Sequence, residues 1–173
     1  MKVGFTGSRF GMTDAQQQEF LILMGKLGAV EFHHGDCIGA DDQAATLTRG
    51  IELKEEGDDR IYEIAIVVHP PEDETHRASN PHWTTMMPPK RHFARNRDIV
   101  DETELLIATP NCQPLAMFGD MKYTVEYARK KGKDVYVIWP SGMVELWHSD
   151  KLPPEGKIPS TQRHANTTPK GQR

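Results

Sequence analysis

Much of what narrows this 173-residue chain is what it lacks. It has two cysteines, Cys37 and Cys112, in no recognisable disulfide or ligand framework, so reduced thiols and a cytoplasmic setting are expected. No apolar run approaches the ~20 residues needed to cross a bilayer, which sets membrane partners aside. The opening Lys2-Val3-Gly4-Phe5-Thr6-Gly7 does not have the layout of a signal peptide. Basic residues are not in excess: 21 Lys and Arg stand against 25 Asp and Glu, a net charge of −4. A global attraction to nucleic acid is therefore disfavoured, and any binding of phosphate must be local. The Lys-Ser/Thr ending of a Walker A loop is missing and no G-x-G-x-x-G run is complete, which argues against ATP hydrolysis of the P-loop kind.

What is present is ordinary in amount, 37% hydrophobic and 27% charged, and suits one globular domain with a full core. Periodicity places it over residues 1–150. Residues 2–6 read as a buried strand. Thr13 and Gln16 form a capping-box signature, Phe20, Leu23, Met24 and Leu27 recur at helical spacing, and Gly28 stops that helix. Residues 29–32 read as a second strand, and Ala40, Ala44, Leu47 and Ile51 mark one face of a second helix. The charged run 54–60 reads as a solvated connection, and 62–68, rich in β-branched residues, as a third strand. Residues 94–103 read as a helix with Ile99 and Val100 inward, 105–109 as a strand, 123–131 as a helix, and 134–139 as a strand. Residues 143–147 suit a short edge strand.

Two stretches break this rhythm. Residues 70–93 hold five prolines among polar residues and Trp83, and are expected to form a flap loop over the site. Residues 151–173 are poor in apolar side chains and are expected to be a flexible C-terminal tail. Strands alternating with helices imply an α/β, Rossmann-like fold, a mainly parallel sheet of about five strands covered on both faces. All strand-to-helix loops then open on one edge, where ligands collect.

Four of those loops carry unusual chemistry. Thr6, Gly7 and Ser8 offer backbone amides and hydroxyls, and Arg9 a fixed positive fork; the plain alternative is a strand-ending turn with a surface arginine. In the turn His33 to Asp42, Gly35 and Gly39 can bring the main chain close to a ligand, and Asp36 and Asp41 are carboxylates in reach; it also reads as a tight turn with Asp41 near a helix start. His33, His34 and Cys37 match no trusted zinc spacing, and no metal site and no cofactor are expected. Arg95 and Asn96 share a helical side with Ile99 and Val100, which favours a fixed anion contact over a sliding DNA surface. Gly119 and Thr124 open a helix whose first turn suits a second phosphate. Glu126 there either complements the helix dipole or serves as an acid–base partner.

The order and spacing of Phe5-Thr6-Gly7-Ser8-Arg9, of His34-Gly35-Asp36-Cys37-Ile38-Gly39-Ala40-Asp41, of Arg95-Asn96-Arg97-Asp98-Ile99-Val100 and of the helix at 121–129 resemble the SLOG superfamily, named for its Smf/DprA and Lonely Guy members, and within it the small bacterial and phage branch. The resemblance spans about residues 3–139. It implies a Rossmann-like sheet binding a nucleotide or nucleotide-derived ligand across its loop edge. Lonely Guy enzymes cleave the N-glycosidic bond of nucleoside monophosphates with an arginine and a glutamate near a Pro-Gly-Gly-x-Gly-Thr loop. Arg95 matches that arginine. The glycine loop is not matched: Pro110 is followed by Asn111 and Cys112, and Gly119 stands beside Asp120. Glu126 is the nearest counterpart to the glutamate.

The expected function is therefore binding of a nucleotide-derived small molecule through Thr6, Gly7, Ser8, Arg9, Gly35, Gly39, Asp41, Arg95, Asn96, Gly119 and Thr124. Hydrolysis would fall to Arg95 with Glu126, Asp36 or Asp41. The alternatives are a non-catalytic nucleotide sensor and, less favoured, a single-stranded nucleic-acid binder; a homo-oligomer stays open.

Overall fold

In the structure, a computed structural model, residues 1–54, 61–112 and 119–149 are described. The expected tail over 151–173 and most of the expected charged connection lie outside those residues. Strands β1 (Lys2–Gly7), β2 (Glu31–His34), β5 (Ala65–Val68), β6 (Thr85–Met86), β7 (Leu105–Thr109), β8 (Val135–Ile138) and β9 (Val144–Trp147) form one seven-stranded sheet in the order β6-β5-β2-β1-β7-β8-β9. Every pairing is parallel except that of β9, which runs antiparallel to β8 on the edge. The remaining strands, β3 (Glu52–Lys54) and β4 (Ile61–Glu63), pair with each other as a separate antiparallel ribbon. Helices α1 (Asp14–Leu27), α2 (Ala40–Arg49), α3 (His92–Glu102) and α4 (Gly119–Lys130) complete an α/β architecture of Rossmann-like topology.

Alternation along β7 divides the core. Leu105 and Ile107 face one side and join Val3, Phe5, Phe20, Met24 and Phe32; Leu106 and Ala108 face the other and join Val100, Val125, Ala128 and Trp139. On the first side the rings of Phe5, Phe20 and Phe32 meet at centroid distances of 5.6–5.7 Å. Thr13 and Gln16 do close a capping box at the start of α1, and Gly28 ends that helix in the left-handed region.

Three expectations change. The second strand begins later and takes in His33 and His34, both buried. The stretch read as one strand over 62–68 is split at Ile64: its first part turns back on β3, and only Ala65–Val68 enters the main sheet. Residues 70–93 are not a structureless flap. Thr85 and Met86 add a parallel edge strand, Glu74–His76 makes a 3₁₀ turn, and Pro71 bridges to Lys90. The segment is a strap laid against the sheet edge.

None of the described helices is long and apolar enough to cross a membrane.

Candidate functional site

The chain runs outward from β1 through β2 and β5 to β6, then returns to the other side of β1 as β7. Where strand order reverses, the loops on either side part and leave a crevice at the carboxyl ends of the strands. An open cleft lies there. Phe5, Thr6, Gly7 and Arg9 line it from β1 and the loop after it, and Gly35, Cys37 and Asp41 from the β2–α2 turn and the start of α2. His92, Arg95, Asn96 and Ile99 line it from α3, and Asp120 and Met121 from the start of α4. All four loops singled out in the sequence therefore contribute to one cleft.

Arg95 is its centre. The side chain is 5% exposed, and its Nη1 donates to the carbonyl oxygen of Gly35 and, at 3.4 Å, to that of His69. Nη2 lies 3.4 Å from Cys37 Sγ and 3.2 Å from His92 Nδ1. Its Nε is buried with no partner among the described residues. A cation fixed by carbonyl dipoles, with one donor left unpaired, suits an anion or carboxylate.

Asp41 supplies the opposite charge. Its Oδ2 accepts both the Gly35 amide at 3.0 Å and the Cys37 amide at 3.2 Å, which curls the turn around the carboxylate. Burial pushes its pKa up to about 6, against the pull of Arg95 and of the two amides, with the charge of Asp36 adding to the rise. A carboxyl group that titrates near neutrality in a cleft is a candidate proton carrier. Burial, then the charge of Asp41, pushes the Cys37 thiol up, so it is a protonated thiol rather than a nucleophile. Burial, then the charge of Arg95, lowers His92, which is neutral at pH 7.

At the mouth, Arg9 Nη2 stands 3.7 Å from Asp120 Oδ2, linking the first loop to the start of α4. Gly39 carries the turn into α2 at φ 91°, and a Cβ there would collide with the Arg9 carbonyl group. Gly39 thus acts on Arg9 through backbone packing and does not itself line the cleft.

The other expected residues are placed differently. Ser8 is spent on its own turn: its amide donates to the Thr109 carbonyl and its hydroxyl accepts from Phe10. Thr124 sits a full turn into α4, donating to the Asp120 carbonyl while accepting from Asn96 Nδ2 at 2.8 Å; it positions Asn96. Helix α4 starts at Gly119, four residues earlier than the sequence reading, so Glu126 is about 10 Å along it rather than in the first turn. It pairs with Lys122 at 3.8 Å and is half-exposed, away from the cleft. Asp36 is buried at φ 54° and faces the strap, accepting from Arg77 Nε at 2.5 Å and from the Asn80 amide.

His92, Asp120 and Met121 were not read from the sequence as site residues. The helix starts that place them fall two and four residues before the apolar periodicity begins, and Arg91, which precedes α3, makes no side-chain cap that would mark it.

No protein-family model and no curated protein matches this chain. Among solved structures, the crystal structure of TM1055, a structural genomics target, superposes with a TM-score of 0.51 over 78% of this chain and 72% of that one, at 15% identity. That likeness shows the fold. It agrees with a Rossmann-like sheet and leaves the chemistry to the residues themselves.

Proposed function

We propose that the cleft binds a phosphorylated nucleoside derivative and that Asp41 assists cleavage of its N-glycosidic bond. The observation that carries this reading is the pairing of a buried, incompletely satisfied Arg95 with a carboxyl group poised near neutral pH, at the strand ends of a parallel sheet. Arg95 and Arg9 bind phosphate oxygens; the Arg9–Asp120 pair opens to admit them. Heterolysis of the C1′–N bond leaves a cationic ribosyl group, which the Asp41 carboxylate faces and stabilises. Asp41 then takes a proton from the attacking water, whose oxygen bonds C1′, and the proton passes to the departing base. The SLOG resemblance of the glycine turns and of Arg95 points to the same ligand class.

A second reading, a sensor that holds the nucleotide intact, is favoured by one observation: Glu126, the nearest match to the Lonely Guy glutamate, pairs with Lys122 outside the cleft. Incubation with the common nucleoside monophosphates, followed by chromatography for free base and by calorimetry, separates the two. Base release that disappears in Asp41→Asn and Arg95→Ala supports hydrolysis. Micromolar binding without release supports the sensor. Neither binding nor release with any nucleotide overturns both.

A further inference from the structure

Outside the cleft, on β2 and α3, three ligand-type side chains from distant parts of the sequence meet. His33 lies on β2, His69 directly after β5, and Glu102 is the last residue of α3. His33 Nδ1 is 3.0 Å from His69 Nε2, and Glu102 Oε2 is 3.7 Å from each of these nitrogens. We propose that His33, His69 and Glu102 form a binding site for a divalent transition cation of the zinc type, joining β2, β5 and α3.

The triangle has the right size. The point equidistant from its three corners lies about 2.0 Å from each, the length of Zn–N and Zn–O bonds. Both imidazoles are 2% exposed while Glu102 is 39% exposed, which leaves a fourth position open toward solvent for a water molecule. The protonation pattern also fits. His33 Nε2 faces Glu31 Oε1 at 2.7 Å, and Glu31 is held in turn by Lys2 Nζ at 3.0 Å. A carboxylate accepts only, so the proton of neutral His33 resides on Nε2 and Nδ1 presents its lone pair to the triangle. This is the carboxylate–histidine arrangement that orients metal-ligating imidazoles. The trio His33, His34 and Cys37 considered from the sequence is not the set the fold assembles: β-strand alternation sends His34 to the opposite face, against Phe32. The three ligands lie far apart along the chain, on separate elements, a spacing that no local motif would reveal.

The experiment uses the whole chain, stripped with a chelator and titrated with Zn²⁺ against a chromophoric competitor, and in parallel with Co²⁺ while the visible d–d absorption is recorded. One equivalent of Zn²⁺ should bind, and Co²⁺ should give the intense spectrum of a four-coordinate site. Glu102→Gln and His69→Gln should each weaken binding at least about 100-fold, and Glu31→Gln about 10- to 100-fold. Because Glu102 is partly exposed, its variant should keep the metal-free thermal midpoint of the parent, so that its loss of metal is not a loss of fold. Failure of the parent to take up one equivalent, or uptake unchanged in both Glu102→Gln and His69→Gln, would overturn the site and leave a hydrogen-bonded histidine pair.

Discussion

A side chain on Gly35 would occupy the space of the Arg95 guanidinium. The two residues lie 60 positions apart, and the arginine donates to the very carbonyl whose residue has no Cβ to obstruct it. Gly35 does not have a positive φ, so its requirement is one of space and not of backbone strain. Gly35→Ala should therefore displace Arg95, lowering stability by about 1–3 kcal/mol in urea unfolding and weakening nucleotide binding at least tenfold in calorimetry. Unchanged binding in a folded Gly35→Ala protein would remove Arg95 from the proposed site.

The strap over 70–93 is pinned at Asp36. That carboxylate is 1% exposed, and its charged partner is Arg77, 19% exposed. Arg77→Met leaves a buried carboxylate without its counter-charge and should cost about 3 kcal/mol, read by urea unfolding. Adding Asp36→Asn to it removes the uncompensated charge and should recover more than half of the loss, a coupling that a double-mutant cycle measures directly. Additive losses in the cycle would show that the two side chains do not act as a pair.

Glu126→Gln should change little. The residue is half-exposed and its partner, Lys122, is a surface lysine one helical turn away, so stability should move by less than about 0.5 kcal/mol. Nucleotide binding and any base release should match the parent. A large loss of base release in this variant would return Glu126 to the reaction and displace Asp41 from the role proposed for it.

These contrasts show what could be read from the chain and what could not. The four apolar residues that open β7 announce themselves because Pro110 closes the run after Thr109, and the α1 start because Thr13 and Gln16 bond each other's backbone. Arg95 and Asn96 were readable because Ile99 and Val100 fix the buried face of α3. Polar residues inside strands mislead: His33 and His34 look like turn residues, yet both are buried, His33 between Glu31 and His69 and His34 with its Nδ1 accepting from the Asp36 amide. Strands of two or three residues, such as β3, β4 and β6, carry too few side chains for alternation to register. How far along α4 Glu126 lies depends on where that helix begins, and the helix begins before its apolar periodicity does.

The proposed role of Asp41 leads to a pH dependence whose sign is fixed. Its pKa is raised to about 6 in the folded protein from an ordinary value of 3.8. Between these values the native state binds more protons than the unfolded chain, so this group's contribution to stability is full below about pH 4 and is lost as pH rises through 6. The loss amounts to about 3 kcal/mol by pH 7.5, taking about 1.36 kcal/mol per pKa unit. Asparagine mimics the protonated acid. Because a single oxygen of Asp41 accepts both amides, the side-chain oxygen of the introduced asparagine can keep the Gly35 and Cys37 hydrogen bonds. Asp41→Asn should therefore gain stability relative to the parent on going from about pH 4 to about pH 7.5, by about 3 kcal/mol in paired urea titrations, while base release disappears. A protein made more stable and less active by the same change is what a strained carboxylate kept for its chemistry requires. Parallel stability curves for parent and variant across this range would mean that the carboxylate is not destabilised by burial, and would take away the physical reason for assigning it proton transfer.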